Sequence, residues 1–168
     1  MLLRMIGNVN RWSHTRAVNR PDPTIWGDAI ADLKTTKNTL STWIANTDEE
    51  FEDAIVAIAL GREKVDKIAY VLIDENDLKH LEIETSDDVI GSADGLDEEL
   101  LKHHRDLIEL DVAHLGSLAE HILKLSEDET RWDYVTEDEV NELLEKYKAA
   151  QKINVSKMNK KLKEKLNW

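Results

Sequence analysis

Cysteine is absent from this 168-residue chain, which excludes a disulfide scaffold, a thiolate nucleophile and a cysteine metal site. Proline occurs only at Pro21 and Pro23, so few positions forbid regular structure. The longest uninterrupted apolar run, Ala54 to Leu60, has seven residues, far below the roughly 20 that a membrane-spanning helix needs. No small-residue cleavage site follows Met1-Leu2-Leu3-Arg4-Met5-Ile6; no secretion signal is read, and a cytoplasmic location is expected. Phosphate-cradling motifs of the form Gly-x-x-x-x-Gly-Lys or Gly-x-Gly-x-x-Gly are missing, as is a Gly-x-Ser-x-Gly elbow, so nucleotide binding and serine catalysis through those devices have no basis. His104-Arg105-Asp106-Leu107 spells the start of a kinase catalytic loop, but Asp111 stands where asparagine is required, and the match is read as chance.

What the chain has in abundance is acid. Its 35 Asp and Glu against 22 Lys and Arg give a formal charge of −13, and the excess is unevenly placed. Residues 1 to 20 hold four arginines and no acid. Residues 21 to 145 hold ten bases and 34 acids, a balance of −24, and residues 146 to 168 hold eight lysines against Glu164 alone. An acidic body repels phosphate backbones within a Debye length, about 8 Å at physiological salt, and attracts cationic partners. Nucleic acid is therefore not expected on the body; only the Lys146 to Lys165 tail suits it.

Apolar spacing supplies the architecture. Leu2 to Val9 reads as a short strand or buried arm, Asn10 to Asp22 as a loop, and Thr24 to Lys34 as a short helix. Thr39 to Ile44 has strand composition. Thr47-Asp48-Glu49-Glu50 is a capping box that opens a helix over 48–60, and Val65 to Ile73 reads as a strand covered on both faces. Strand 39–45, helix 48–60 and strand 67–73 form a β-α-β unit, for which parallel pairing is expected. Leu81 to Glu84 suits an edge strand. From Asp97 to Leu125 the pattern is helical, either as one helix or broken before Asp111, with that residue capping the second piece. Thr136-Glu137-Asp138-Glu139 is a second capping box. It opens a stripe of Val140, Leu144, Tyr147, Gln151, Val155, Met158, Leu162 and Leu166, about 45 Å long if unbroken, with Asn154 or Ser156 able to interrupt it. The fold class is α/β (α+β): a small mixed sheet with a β-α-β unit. The domain reading is a core over 1–125 and a helical C-terminal extension over 126–168, whose stripe packs on its own domain or on a second copy.

Several constellations bear on function. Asp74-Glu75-Asn76-Asp77 follows the buried strand, where ligands of open α/β sheets bind, and its oxygens suit Mg²⁺. His103, His114 and His121 share one side of the predicted helix, but the last two lie roughly 10 Å apart along it, too far for one metal. Arg11-Trp12-Ser13-His14-Thr15-Arg16, with Arg20 and Trp26 beyond, interleaves cations and aromatics as a single-strand binder does; a Trp12 that plugs the core, with arginines paired to the body, explains the same letters.

The favoured reading is a non-catalytic interaction protein, of inhibitor or immunity type, that binds a basic protein partner. Loops 74–77 and 84–98 would steer association, with Asp74, Glu75, Asp77, Asp87, Asp88 and Asp94 as contact residues and Trp132 and Tyr134 as aromatic anchors. No catalytic residue, metal or cofactor is assigned in that reading, and no membrane is involved. One alternative is a metal-dependent enzyme on a phosphorylated substrate, with Asp74, Glu75 and Asp77 as ligands and His80 or His104 as acid–base partner. The other is a regulatory protein that binds nucleic acid through its basic ends.

Overall fold

In a computed structural model of the chain, which describes residues 1–7, 9–12, 25, 27–87 and 98–168, the sequence folds as a six-stranded sheet with helices on both faces. The strands are β1 (Leu2–Ile6), β2 (Leu40–Ile44), β3 (Ile68–Ile73), β4 (Glu84–Ser86), β5 (His104–Ile108) and β6 (Trp132–Val135). The α-helices are α1 (Asp48–Leu60), α2 (Glu75–His80), α3 (Glu98–Leu101), α4 (Val112–Leu125), α5 (Glu137–Ala149) and α6 (Lys160–Leu166). A 3₁₀ helix spans Gly27–Leu33, inside the segment expected to be helical.

The strands lie in the order β4-β5-β2-β1-β3-β6, and every ladder is antiparallel. This corrects the parallel pairing expected for the β-α-β unit. β2 and β3 do run in the same direction with α1 crossing between them, but β1 is inserted between the two and pairs antiparallel with both. The reason is burial. Leu2 and Leu3 point to opposite faces, and both are almost fully covered, which only a central strand achieves.

Each face carries its own apolar cluster. On one, α1, α5 and α6 bring Ile55, Leu144 and Leu162 against Leu3, Trp43, Ile68 and Val135. On the other, the 3₁₀ helix, α2 and α4 bring Leu33, Leu78, Leu118 and Ile122 against Leu2, Val71 and Leu107. Arg4 crosses from β1 to donate to the carbonyls of Ser41 and Asp32; burial pushes its guanidinium down to about 10, an effect that Asp32 partly offsets.

Residues 97–125 are not one helix. The segment contains α3, the strand β5 and α4, and Asp111 caps α4 by accepting from the His114 backbone N–H at 2.8 Å. The edge strand falls at Glu84–Ser86, later than 81–84, because Glu82 turns through a left-handed φ of 58°. Trp132 and Tyr134, read from sequence only as aromatic anchors, belong to the strand β6 alongside β3.

The C-terminal stripe is broken as well. α5 ends in a left-handed turn at Gln151 (φ 59°), where the Lys152 N–H reaches back to the Tyr147 carbonyl. Asn159 then caps α6 by accepting from the Lys161 N–H. Val140, Leu144, Tyr147, Met158 and Leu162 are all buried in the cluster beneath α1, so the stripe is taken up by the chain's own sheet.

Candidate functional site

Of the acids expected to form one contact surface, Asp74, Asp77 and Asp87 have separate local partners. Asp74 caps α2, accepting from the Asn76 N–H at 2.8 Å, and that hydrogen bond holds its carboxyl below the usual range. Asp77 lies 3.3 Å from Nε2 of His121 on α4. Asp87 pairs with Nε of Arg105 on β5 at 2.9 Å. Glu75 rims a shallow hollow of about 460 Å³ together with Lys79, Glu82 and Glu84. Asp88, Asp94 and most of the 84–98 loop lie outside the described residues, as do His14, Arg16, Arg20 and Trp26. Among the described residues, no three His, Asp or Glu side chains converge in a way that could hold a metal ion.

The histidines disperse because their helix does. His103 follows α3, while His114 and His121 lie on α4. His104 is buried on β5, edge-on to Trp43 at 4.8 Å, with Nε2 3.6 Å from the Asp106 carboxylate. Burial lowers its pKa, against the opposing pull of Asp106 and with help from Arg105. Ser41 donates to Asp106 at 3.1 Å, so this serine faces a carboxylate and no imidazole activates it as a nucleophile. Trp12 plugs the core: it is 1% exposed, donates Nε1 to Asp32 at 2.9 Å and packs edge-on against the half-buried Trp132.

The basic tail is folded onto acids of α1 and its flank. Lys146 pairs with Glu52, Lys152 with Glu49 at 3.3 Å, and Lys161 with Glu63 at 2.7 Å. Lys148 sits over the Trp168 ring at 4.3 Å, and that indole donates to Glu145.

Among the described residues, two further concave sites flank α1, one on each side. The larger is an open groove of about 620 Å³ between α1, α5 and the outer strand β6. Asp48, Glu52, Asp133, Glu139 and Glu142 line it against Lys146 alone, with Phe51 and Tyr70 at its floor and Tyr134 at its edge. Two of these acids, Asp48 and Glu139, belong to the acidic first turns of α1 and α5, as the positive end of a helix favours. Burial, then Asp133 and Glu139, push the Tyr70 hydroxyl pKa up, so a ring on the groove floor responds to the carboxylates around it. Tyr134 is 52% exposed and carries Lys67 over its ring at 5.1 Å.

The smaller site is a pocket of about 430 Å³ lined by Thr47, Glu49, Glu50, Asp53, Leu100, His103, Gln151 and Lys152. Asp53 is only 6% exposed. Its Oδ1 accepts from the Tyr147 hydroxyl at 2.6 Å, and its Oδ2 lies 3.4 Å from His103 Nε2. Burial first, then this hydrogen bond, push the Tyr147 pKa far up, so its hydroxyl keeps its proton and donates it to Asp53. The other ring nitrogen of His103 lies 4.0 Å from Glu50, whose second oxygen closes the α1 capping box.

Neither site was read from sequence, although Tyr134 was singled out. The signal for the second was present in α1: Asp53 shares an arc with Val56, Ala57 and Leu60, all buried, and an acid there demands a buried partner. Tyr147, within the apolar stripe of α5, supplies one. No family model matches the chain, and neither does any curated protein or solved structure in the comparisons made.

Proposed function

We propose that the protein is a non-catalytic binding module, of inhibitor or immunity type, that takes a basic protein partner in the acidic groove between α1, α5 and β6. The observation that carries this reading is the groove's composition. Five carboxylates face one lysine around three aromatic rings, and that lysine is already paired with Glu52. Clustered charge of one sign raises association rates with an opposite surface and rejects like-charged competitors. Aromatic rings supply contact area and a face for arginine or lysine. Tyr134 already receives one cation, Lys67, on its ring.

The alternative in which the basic tail binds nucleic acid is less favoured, since Lys146, Lys152 and Lys161 are engaged with carboxylates of the body. The metal-dependent reading is less favoured too, since Asp74 serves as a cap and Asp77 faces His121.

The test uses an arginine-rich peptide and stopped-flow association with the full chain. Binding should slow steeply with added salt, and Glu142→Lys should weaken it at least tenfold, because Glu142 is exposed and lies in the groove. Tyr134→Ala should lower affinity while leaving the salt dependence intact. A rate indifferent to salt, or a Glu142→Lys variant that binds as well as the parent, overturns the reading.

A further inference from the structure

β6 ends the sheet on one side and pairs with β3 alone. Such an edge offers backbone donors and acceptors to any other chain, so the partner of each outward group matters. The Leu72 N–H donates to the Arg131 carbonyl at 2.8 Å, which fixes the phase of the ladder. Asp133 and Val135 turn their backbone groups towards β3, while Trp132, Tyr134 and Thr136 turn theirs outward.

All of those outward donors are taken from within the chain. The Trp132 N–H donates to the Asp128 carbonyl at 2.9 Å, closing the turn before the strand. The Thr136 N–H donates to the Glu139 carboxylate at 2.8 Å, within the capping box of α5. Neighbouring elements account for both bonds, but not for the third. The Tyr134 N–H donates to Oδ1 of Asp133 at 2.8 Å. Aspartate is poorly suited to strands, yet it holds the second position of this four-residue one. Its carboxylate removes the last free donor of the edge, through a charge-assisted bond roughly twice as strong as a neutral one. Among the described residues, none donates to the Tyr134 carbonyl.

From the pairing of these backbone groups we infer that the outer edge of β6 is a self-pairing surface centred on Tyr134, which Asp133 holds closed. The occupant is a second copy of the chain. A long extended peptide needs a run of free donors, and Trp132 and Thr136 supply none. A second copy needs only Tyr134: about a two-fold axis there, each N–H meets the other copy's carbonyl. The exposed Tyr134 rings come side by side, and residue 133 of one copy falls opposite Val135 of the other. Asp133 opposes this pairing twice. It sets a carboxylate against an apolar side chain, and both copies must give up a charge-assisted bond to gain a neutral one. The edge borders the acidic groove, but its pairing depends on backbone groups and not on what the groove holds.

The test compares Asp133→Val with Asp133→Asn in the full chain. Asparagine keeps an oxygen acceptor for the Tyr134 N–H and loses the charge; valine suits a strand and has no acceptor. Hydrogen exchange at the Tyr134 amide, corrected for its neighbours in sequence, should be as slow in Asp133→Asn as in the parent and at least tenfold faster in dilute Asp133→Val. In about 1 M sodium chloride, where the screening length is about 3 Å, the sedimentation mass of Asp133→Val should double as its concentration rises to ~1 mM. Its Tyr134 amide should then slow again, while the parent and Asp133→Asn keep a constant mass. Adding Tyr134→Pro, which removes the outward N–H and spares the ladder to β3, should abolish the doubling. The inference is overturned if dilute Asp133→Val exchanges Tyr134 as slowly as the parent, or if its mass never rises. It is also overturned if the parent or Asp133→Asn associates as readily, or if the Asp133→Val, Tyr134→Pro variant still does.

Discussion

Single side chains reveal where this protein tolerates charge without water. His104 and Asp106 are both buried on β5, and burial holds the His104 pKa below its ordinary value. A histidine with a lower pKa folded than unfolded contributes stability that is fully present above the unfolded value of about 6.5 and is lost as pH falls from there through the folded value. Urea denaturation at pH 7.5 and at pH 5.5 should therefore show a lower midpoint in acid. His104→Phe, which keeps a ring against Trp43 and leaves Asp106 its hydrogen bond from Ser41, should flatten that difference. An unchanged acid loss in the variant would assign it to other groups. At this scale the sequence was legible in part. Asp111 as a cap and Trp12 as a core plug follow from local chemistry, and both are observed. The pairing of Asp53 with Tyr147 joins residues 94 positions apart, and no local rule specifies that distance.

Elements divide along the same line between local and distant causes. α1 is legible because Thr47 and Glu50 close a capping box before an apolar run, and β3 because its residues are almost continuously apolar. β5 is not, since His104 to Ile108 continues an apolar spacing that also fits a helix. Its pairing with β2 and β4 decides the matter. β6 has only four residues, and its strand character comes from β3 alongside it. The C-terminal helix was legible in its start and in its buried stripe, and an interruption was expected at Asn154 or Ser156; it comes earlier because Gln151, a glutamine rather than a glycine, takes the left-handed position. Beyond that break, tertiary packing holds the chain in place: Leu162 of α6 is fully buried in the cluster shared with α1. Leu162→Ala should then cost about 2–5 kcal/mol in chemical denaturation, the range for a leucine cavity in a packed core. A cost near zero would show α6 to be an undocked tail.

At the scale of the whole molecule, two electrostatic effects oppose each other, and magnitudes decide between them. The tail neutralises part of the acidic body through pairs such as Lys161 with Glu63 and Lys152 with Glu49, whose side chains are half to three-quarters exposed. Exposed pairs of that kind contribute about 0–1 kcal/mol each, and salt weakens them. Against them stands the mutual repulsion of a chain with net charge −13, which acts over many carboxylates at once and destabilises the compact state. Sodium chloride shortens the screening length from about 30 Å at 0.01 M to about 3 Å at 1 M and so suppresses both effects. The repulsion involves more charges over longer distances, so its relief dominates. The melting temperature should therefore rise as sodium chloride is added from low ionic strength, and a Lys152→Ala, Lys161→Ala variant, which is more negative, should gain more from salt than the parent. A melting temperature that falls with salt in the parent, and less so in the variant, would instead make the tail–body pairs the dominant electrostatic contribution to the fold.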